Sequence, residues 1–504
     1  MVTKQKLLEQ MKLLRAENKF LQKNVSFFPR VSENTETVEK LNQHQIPYFV
    51  EKEKLSYVVD GEPVTTLIEG DNLSVLIGLN YKYENKVDII YIDPPYNTGK
   101  KVYTYNDSYN KADNGSHSMW LTFMENRLKL TPALLRDTGV IMVSVGSKEQ
   151  AYLKLLLDEI YGEQNFIAMV TIEGVLKNNS KYVSDGADYL LIYSKNIEVL
   201  NKENPIWRAL KPSAKTLLAK GEEIWLKSNY DSVKATAFLR KYFLTVEAKT
   251  IFVEEPGLKM YNKIDEAGRI YRSGDLSSPS GVGGQYTVVN PVTSQPVALP
   301  ARGWVHSQET FNKMIKKNLI IWNEQNIPTY KRFLDENINI VHDDVMKLTK
   351  ENPNRLLQKI IGRGKFSYPK NHYMLIDWFN YITPNFRLNN DEDPIVVLDF
   401  FAGSGTTAHA VAELNTQDNG RRECILVTLE ENNIPQQVTL PRLKALFSGN
   451  WVIGKMKPLK GQVKFFTQKF SSTKITPKQN WDINEYSEEY RDFCLQKIEE
   501  LNLI

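Results

Sequence analysis

The stretch DIIYIDPPYNTGK, residues 88–100, sets an acid, two prolines and a tyrosine directly after an apolar run. Proline lacks an N–H and biases the residue before it away from helix. The run Val87–Ile92 is therefore predicted to be a buried strand that stops at Asp93. At its end stand a carboxylate (Asp93), a backbone carbonyl held by a ring (Pro94), a second ring (Pro95) and an aromatic face (Tyr96). Two fixed acceptors suit an exocyclic amino group whose lone pair is delocalised into its ring. Hydrogen bonds from that NH₂ to Asp93 and to the Pro94 carbonyl favour a more pyramidal, more nucleophilic nitrogen, and Tyr96 would stack on the ring that carries it. Acceptors already held in place need no reorganisation as charge develops.

A second stretch, PIVVLDFFAGSGTTAHAVAEL at 394–414, runs from a predicted strand (Ile395–Phe400) through Gly403-Ser404-Gly405 into a helix starting near Thr406. Glycines let the backbone approach a ligand closely, and the N–H groups of a helix N-terminus attract negative charge. A phosphate-binding P-loop needs a lysine after the last glycine, and Thr406-Thr407 stand there instead. Two readings stay open. Gly403, Gly405 and Ala408 fit the dinucleotide pattern, with Glu430 after the strand CILVTL as a ribose partner. S-adenosylmethionine needs the same ribose acid, and its carboxylate suits free N–H groups. The amine-directed acceptors of residues 93–96 favour S-adenosylmethionine, with the amine placed in line with the sulfonium methyl. A base inside a duplex would have to flip out to reach such acceptors.

Both stretches sit in α/β texture. From about Thr66, strands and helices alternate through TTLIEGDNLSVLIGL, Val87–Ile92, WLTFMENRLKLTPALL, GVIMVSV, KEQAYLKLLLDEIYG, FIAMVTIE and ADYLLIYSK. Such alternation predicts a mostly parallel, twisted sheet covered on both faces. It breaks over 197–350, which reads as an inserted α+β domain, and resumes through 351–470. The expected organisation is thus an N-terminal helical segment (1–60), one half of the α/β domain (61–196), the insert (197–350), the second half (351–470) and a tail (471–504). Leu7, Leu14 and Leu21 form a helical stripe in the first segment.

Composition narrows the class. The 504 residues are 41% hydrophobic and 25% charged, with no apolar stretch of membrane-span length and no signal-peptide core near the start. A cytoplasmic protein without a membrane partner is expected. Two cysteines, Cys424 and Cys494, and scattered histidines offer no disulfide framework and no metal-ligand spacing, so no metal is expected. The net charge is only +4, but Pro441–Phe470 carries Arg442, Lys444, Lys455, Lys457, Lys460, Lys464 and Lys469 without an acid. Lys359, Arg363, Lys365 and Lys370 cluster upstream. Such stretches suit a phosphate backbone. His409, Trp120 and Trp304 are expected to pack.

DPPY together with FAGSGT resembles the amino-methyltransferases of DNA, and Asp at the first motif position resembles their adenine-N6 branch. The catalytic stretch precedes the cofactor stretch, a circularly permuted order similar to the β class. YIDPPYNTG, HSMWLTFMENRL, EQAYLKLLLDEIYGEQNF, RGWVHSQETF and LDFFAGSGTTAHAV resemble the modification subunits of type III restriction–modification systems over roughly residues 60–470. The resemblance implies a Rossmann-like methyltransferase domain with an inserted target-recognition domain at 197–350. It implies catalysis by Asp93, Pro94, Pro95 and Tyr96. Around S-adenosylmethionine it implies Asp71, Asp93, Asp399, Phe400, Ala402, Gly403, Ser404, Gly405 and Thr406, with Lys370 of FSYPKNH near the methionine end and Glu430 on the ribose. Double-stranded DNA, a second copy of the chain and a helicase–nuclease restriction subunit are the implied partners. Two departures stand out: Gly146, in VSVGSKEQ, where the family is commonly acidic, and a short tail. The competing readings are an N4-cytosine methyltransferase, a non-catalytic DNA-binding subunit keeping the fold, and an RNA or protein amine methyltransferase.

Overall fold

The computed structural model describes residues 45–471 apart from 98–112, 175–181, 183–185, 204–206, 208, 211, 280, 324–326, 338, 348–351, 384–392 and 431–432. The Leu7–Leu21 stripe and the tail beyond 471 lie outside the described residues.

The chain divides into two compact units, one made of Met1–Trp207 with Asp343–Ile504, the other of Arg208–His342. Strands are numbered along the chain. The first unit opens with β1 (Pro47–Glu51), β2 (Val64–Glu69), β3 (Val87–Ile92), β4 (Leu135–Gly146), β5 (Phe166–Glu173) and β6 (Ala187–Ser194). The second holds β7 (Ala209–Leu210), β8 (Lys263–Ile264), β9 (Ile270–Gly274), β10 (Ile320–Ile321), β11 (Thr329–Phe333) and β12 (Asn339–Ile340). The first then resumes with β13 (Val345–Lys347), β14 (Ile395–Asp399), β15 (Arg422–Thr428) and β16 (Gln462–Phe470). Helix Ile197–Glu203 and β13, inside the expected insert limits, thus belong to the first unit.

The first unit is a ten-stranded sheet in the order β1-β16-β2-β15-β14-β3-β4-β6-β5-β13. From β16 across to β4 every pairing is parallel, while β6 runs antiparallel to both β4 and β5. Its central strands are buried along nearly their whole length: all five residues of β14 are buried, and in β3 only Asp88 is not. This is why they read as unbroken apolar runs rather than as alternating patterns. β3 ends at Ile92, one residue before the first proline-biased position.

The topology puts distant chain segments side by side. β14 pairs with β3 in register, Val397 with Ile89 and Leu398 with Ile90. From there the chain leaves β3 toward β4 and leaves β14 toward β15, on opposite sides. The divergence opens a crevice at the strand C-termini, the place where open α/β sheets bind ligands. Helix Asn72–Tyr83 follows β2 and is capped by Asp71, whose carboxylate accepts from the Leu73 N–H at 2.9 Å. Helix Thr406–Asp418 follows β14 and starts from Gly405 in the left-handed region (φ 78°).

The second unit combines an antiparallel sheet, β10-β11-β9-β8, with helices Pro212–Lys227, Ser232–Tyr242, Val246–Glu254 and Gln308–Lys316. Trp304 packs inside it, buried, with its indole N–H on the Tyr286 carbonyl at 2.9 Å. Among the described residues no helix is long and apolar enough to cross a membrane.

Candidate active site and cofactor pocket

A cavity of about 590 Å³ lies at the β3/β14 crevice, wholly within the first unit. Asp93, Pro94, Pro95 and Tyr96 line one side, and Ala402, Gly403, Ser404 and Thr406 another. Lys370 and Asp399 also face it.

The turn after β3 is held from several directions. The Trp120 indole N–H donates to the Pro95 carbonyl at 2.6 Å, and Lys148 Nζ to the Asn97 carbonyl at 2.8 Å. Asn97 Nδ2 donates to Glu149 Oε1 at 2.6 Å, and the other oxygen of Glu149 lies 3.0 Å from His117 Nδ1. No described residue donates to the Pro94 carbonyl, and Pro94 lines the cavity. The Tyr96 ring packs on Gly146: a Cβ there would come 3.0 Å from Tyr96 Cδ2. The glycine that departs from the resembling pattern therefore makes room for this ring.

Charges interlock beside it. Lys370 Nζ lies 3.3 Å from Asp93 Oδ1, donates to Asp188 Oδ2 at 2.7 Å, donates to the Tyr96 hydroxyl, and sits 4.7 Å from the Tyr96 ring centre. The Tyr96 hydroxyl in turn donates to Asp188 Oδ2 at 3.3 Å. Burial pushes the Asp93 carboxyl above its ordinary value, and the Lys370 ammonium opposes that shift. Burial alone would lower the Lys370 pKa, but Asp93 and Asp188 outweigh it and hold the ammonium above its usual range. Burial, then the two carboxylates, keeps the Tyr96 phenol protonated far above neutrality.

The turn after β14 is fixed from beneath. Asp399 accepts the Phe401 N–H at 2.9 Å on one oxygen and the Thr407 hydroxyl on the other. Burial raises its pKa to about 7, while those two hydrogen bonds pull the other way. Thr439 Oγ1 donates to the Gly403 carbonyl at 2.6 Å. Both Gly403 (φ 46°) and Gly405 (φ 78°) adopt the left-handed backbone that lets the loop turn under a ligand.

A model of the DNA methylase family matches residues 87–438, well over half of the chain, and so takes in both turns. The chain belongs to the DNA methylase family. It is 29% identical over 395 residues to the type III restriction-modification enzyme EcoP15I Mod subunit of Escherichia coli, covering 71% of this chain and 58% of that one. It is 29% identical over 380 residues to the type II methyltransferase M.KpnI of Klebsiella pneumoniae, covering 72% of this chain and 79% of that one. The chain thus spans little more than half the length of the Mod subunit. Among solved structures, the PvuII DNA methyltransferase (cytosine-N4-specific) aligns at 10% identity with a TM-score of 0.35, over 88% of this chain and 96% of that one. At that level of similarity nothing about substrate follows.

In this DNA methylase, ten of the expected site residues line one cavity: Asp93, Pro94, Pro95, Tyr96, Lys370, Asp399, Ala402, Gly403, Ser404 and Thr406. Four do not. Phe400 is fully buried behind it, its carbonyl taking Asn72 Nδ2 at 2.9 Å. Gly405 starts the helix, and a Cβ there would meet Thr439 Cγ2 at 3.0 Å. Asp71 does not line the cavity; its Oδ1 accepts the helix-cap hydrogen bond and its Oδ2 lies 3.9 Å from Arg127 Nη2. Glu430 is exposed, and Thr428 and Leu429 just before it are the residues that line the cavity.

The residues that sequence reasoning missed are Asp188, Trp120 as a turn holder, and Arg442. Asp188 lies in ADYLLIYSK, where a polar residue near a strand start carries no signal of its own. Arg442, grouped in the sequence with phosphate-facing basic residues, is instead buried (2% exposed) and cannot reach a backbone phosphate. His409 packs as expected, stacked on His372 at 4.2 Å with ring planes 3° apart. His372, His409 and Glu413 bring possible ligand atoms within 4.8 Å of one another. A metal is bound in the plane of an imidazole, and two parallel planes cannot share one ion. The nearby Arg442 guanidinium, 2.9 Å from His409 Nδ1, adds electrostatic opposition. This trio does not fit a metal.

Proposed function

We propose that this DNA methylase transfers a methyl group from S-adenosylmethionine to the N6 amino group of an adenine flipped out of double-stranded DNA. The single observation that carries the reading is the pairing of β3 with β14, which brings the amine-directed acceptors and the glycine turn to one cavity. When bound, S-adenosylmethionine supplies the electrophilic methyl. The chain's own groups fit it: the Gly403 and Ser404 N–H groups and the Ser404 and Thr406 hydroxyls suit its carboxylate, and the rest of the cavity leads to Asp93.

On the substrate side, Asp93 and the unused Pro94 carbonyl accept the two amino hydrogens. Lys370 opposes the effect of burial on Asp93 and so favours the ionised, accepting form. Trp120 and Lys148 hold the turn so that the acceptors stay aimed. Tyr96 offers the ring for stacking, its hydroxyl anchored on Asp188. The buried cluster around Asp93 excludes water from the reacting nitrogen.

Adenine rather than cytosine rests on Asp93 at the first motif position. The second unit, Arg208–His342, is the part that would read target bases. Asp71 and Glu430 as cofactor contacts, a cytoplasmic place of action, a homodimer and a helicase–nuclease partner extend the same reading. The similarity to type III Mod subunits supports that partner. Incubation with labelled S-adenosylmethionine and mixed-sequence duplex DNA, followed by nucleoside analysis, tests the assignment. N6-methyladenine is the expected product. N4-methylcytosine alone would move the base assignment, and cofactor binding without turnover on any DNA, RNA or protein would favour a non-catalytic subunit. Co-purification and sedimentation test the partners.

A further inference from the structure

Beneath the glycine turn lies a guanidinium that the mechanism above does not use. Arg442, on helix Leu440–Ser448, is buried, and its Nη1 donates toward the Ser404 carbonyl (3.2 Å), Ser404 Oγ (3.0 Å) and Thr406 Oγ1 (3.0 Å). Its Nη2 donates to His409 Nδ1 at 2.9 Å. Every one of these partners is neutral, and no described carboxylate pairs with the guanidinium. Burial lowers its pKa to about 9, which still leaves it charged at neutral pH. A buried cation without a counter-ion is costly to keep. The missing anion is therefore the informative feature.

The hydrogen bonds have a fixed direction, because a guanidinium can only donate. Ser404 Oγ and Thr406 Oγ1 must accept from it, so their own protons point elsewhere. The two hydroxyls lie 3.3 Å apart, close enough for one proton to be shared between them. The other is left for the cavity that both residues line. His409 accepts on Nδ1, which places its proton on Nε2. Arg442 thus leaves the hydroxyl edge of the cavity with one proton to donate, and its charge adds to the positive end of the Thr406–Asp418 helix.

We infer that Arg442 is a positioning residue that reserves the glycine-turn end of the cavity for a carboxylate, the α-carboxylate of S-adenosylmethionine, without touching it. The inference rests on the cofactor reading given above and adds a cause for its orientation: the anionic end is drawn to residues 403–406, which leaves the methyl end toward Asp93.

Calorimetric titration of wild type, Arg442→Met and Arg442→Lys with S-adenosylmethionine and with its decarboxylated analogue tests this. Arg442→Met is expected to weaken S-adenosylmethionine at least about tenfold, as loss of a charge-assisted contact implies, and the analogue less than about threefold. Arg442→Lys keeps the charge and is expected to show the same selective loss in smaller degree; it also serves if the Met variant does not fold. A purely structural role would weaken both ligands by one factor, and that result overturns the inference. Wild type binding both ligands equally would overturn it while leaving the cofactor reading intact, whereas wild type binding neither would remove both.

Discussion

After β3 the chain carries two prolines and faces the cavity with acceptors; after β14 it carries two glycines and faces the same cavity with donors. Proline removes N–H groups and freezes the backbone, so the Asp93–Tyr96 turn keeps oxygen atoms and is clamped from outside by Trp120 and Lys148. Glycine frees the backbone to turn under a ligand, so the turn leaves the Gly403 and Ser404 N–H groups unspent among the described residues, while Gly405 N–H closes it on the Ala402 carbonyl at 2.8 Å. It is braced from below by Thr439, Asp399 and Arg442. On the proposed function, the difference suits each end of the cavity to a ligand group of opposite polarity, an amino group at one and a carboxylate at the other.

The largest expected break in this contrast is Asp93→Ala. Removing one preorganised polar group typically costs about 10²–10³ in turnover, and the donor end should be untouched, so S-adenosylmethionine binding should hold in calorimetry. Asp399→Asn probes the donor end through pH. With a carboxyl raised to about 7 from 3.8, the stability contributed by the protonated form is full below about pH 4 and lost as pH rises through about 7. The Asn variant should therefore gain on wild type across that window in urea unfolding; parallel curves would contradict the buried-carboxyl account. Gly146→Val places atoms where the Tyr96 ring packs, and should lower kcat roughly tenfold, with little change in cofactor affinity. Trp120→Phe keeps the packing and loses one hydrogen bond to Pro95, worth about 1 kcal/mol, so turnover should fall about fivefold. Equal loss of cofactor binding in either variant would show that the two turns are not separable.

Much of this contrast was legible in the residues. The strand Val87–Ile92 is observed with its predicted bounds, because a central parallel strand is apolar throughout and proline marks its end. The helix after the glycines starts at Thr406 as expected. What the order of residues could not show was which polar groups face inward. Arg442 sits among lysines in the chain, yet the helix Leu440–Ser448 turns it under the glycine turn. Asp188 joins Tyr96 and Lys370 only because β6 pairs with β4. Asp71 and Glu430 have the right chemistry for a cofactor, and neither lines the cavity: Asp71 Oδ1 caps a helix and Glu430 faces solvent. Side-chain direction at strand ends and caps is set by tertiary packing, and a lone acid in a loop does not report it.

The most direct test of the central claim measures S-adenosylmethionine affinity and N6-methyladenine formation side by side, in wild type and Asp93→Ala. The account predicts unchanged affinity with product lost by two or more orders of magnitude. Methylation persisting at the wild-type rate, or cofactor binding lost together with it, would contradict a cavity divided between an acceptor end and a donor end.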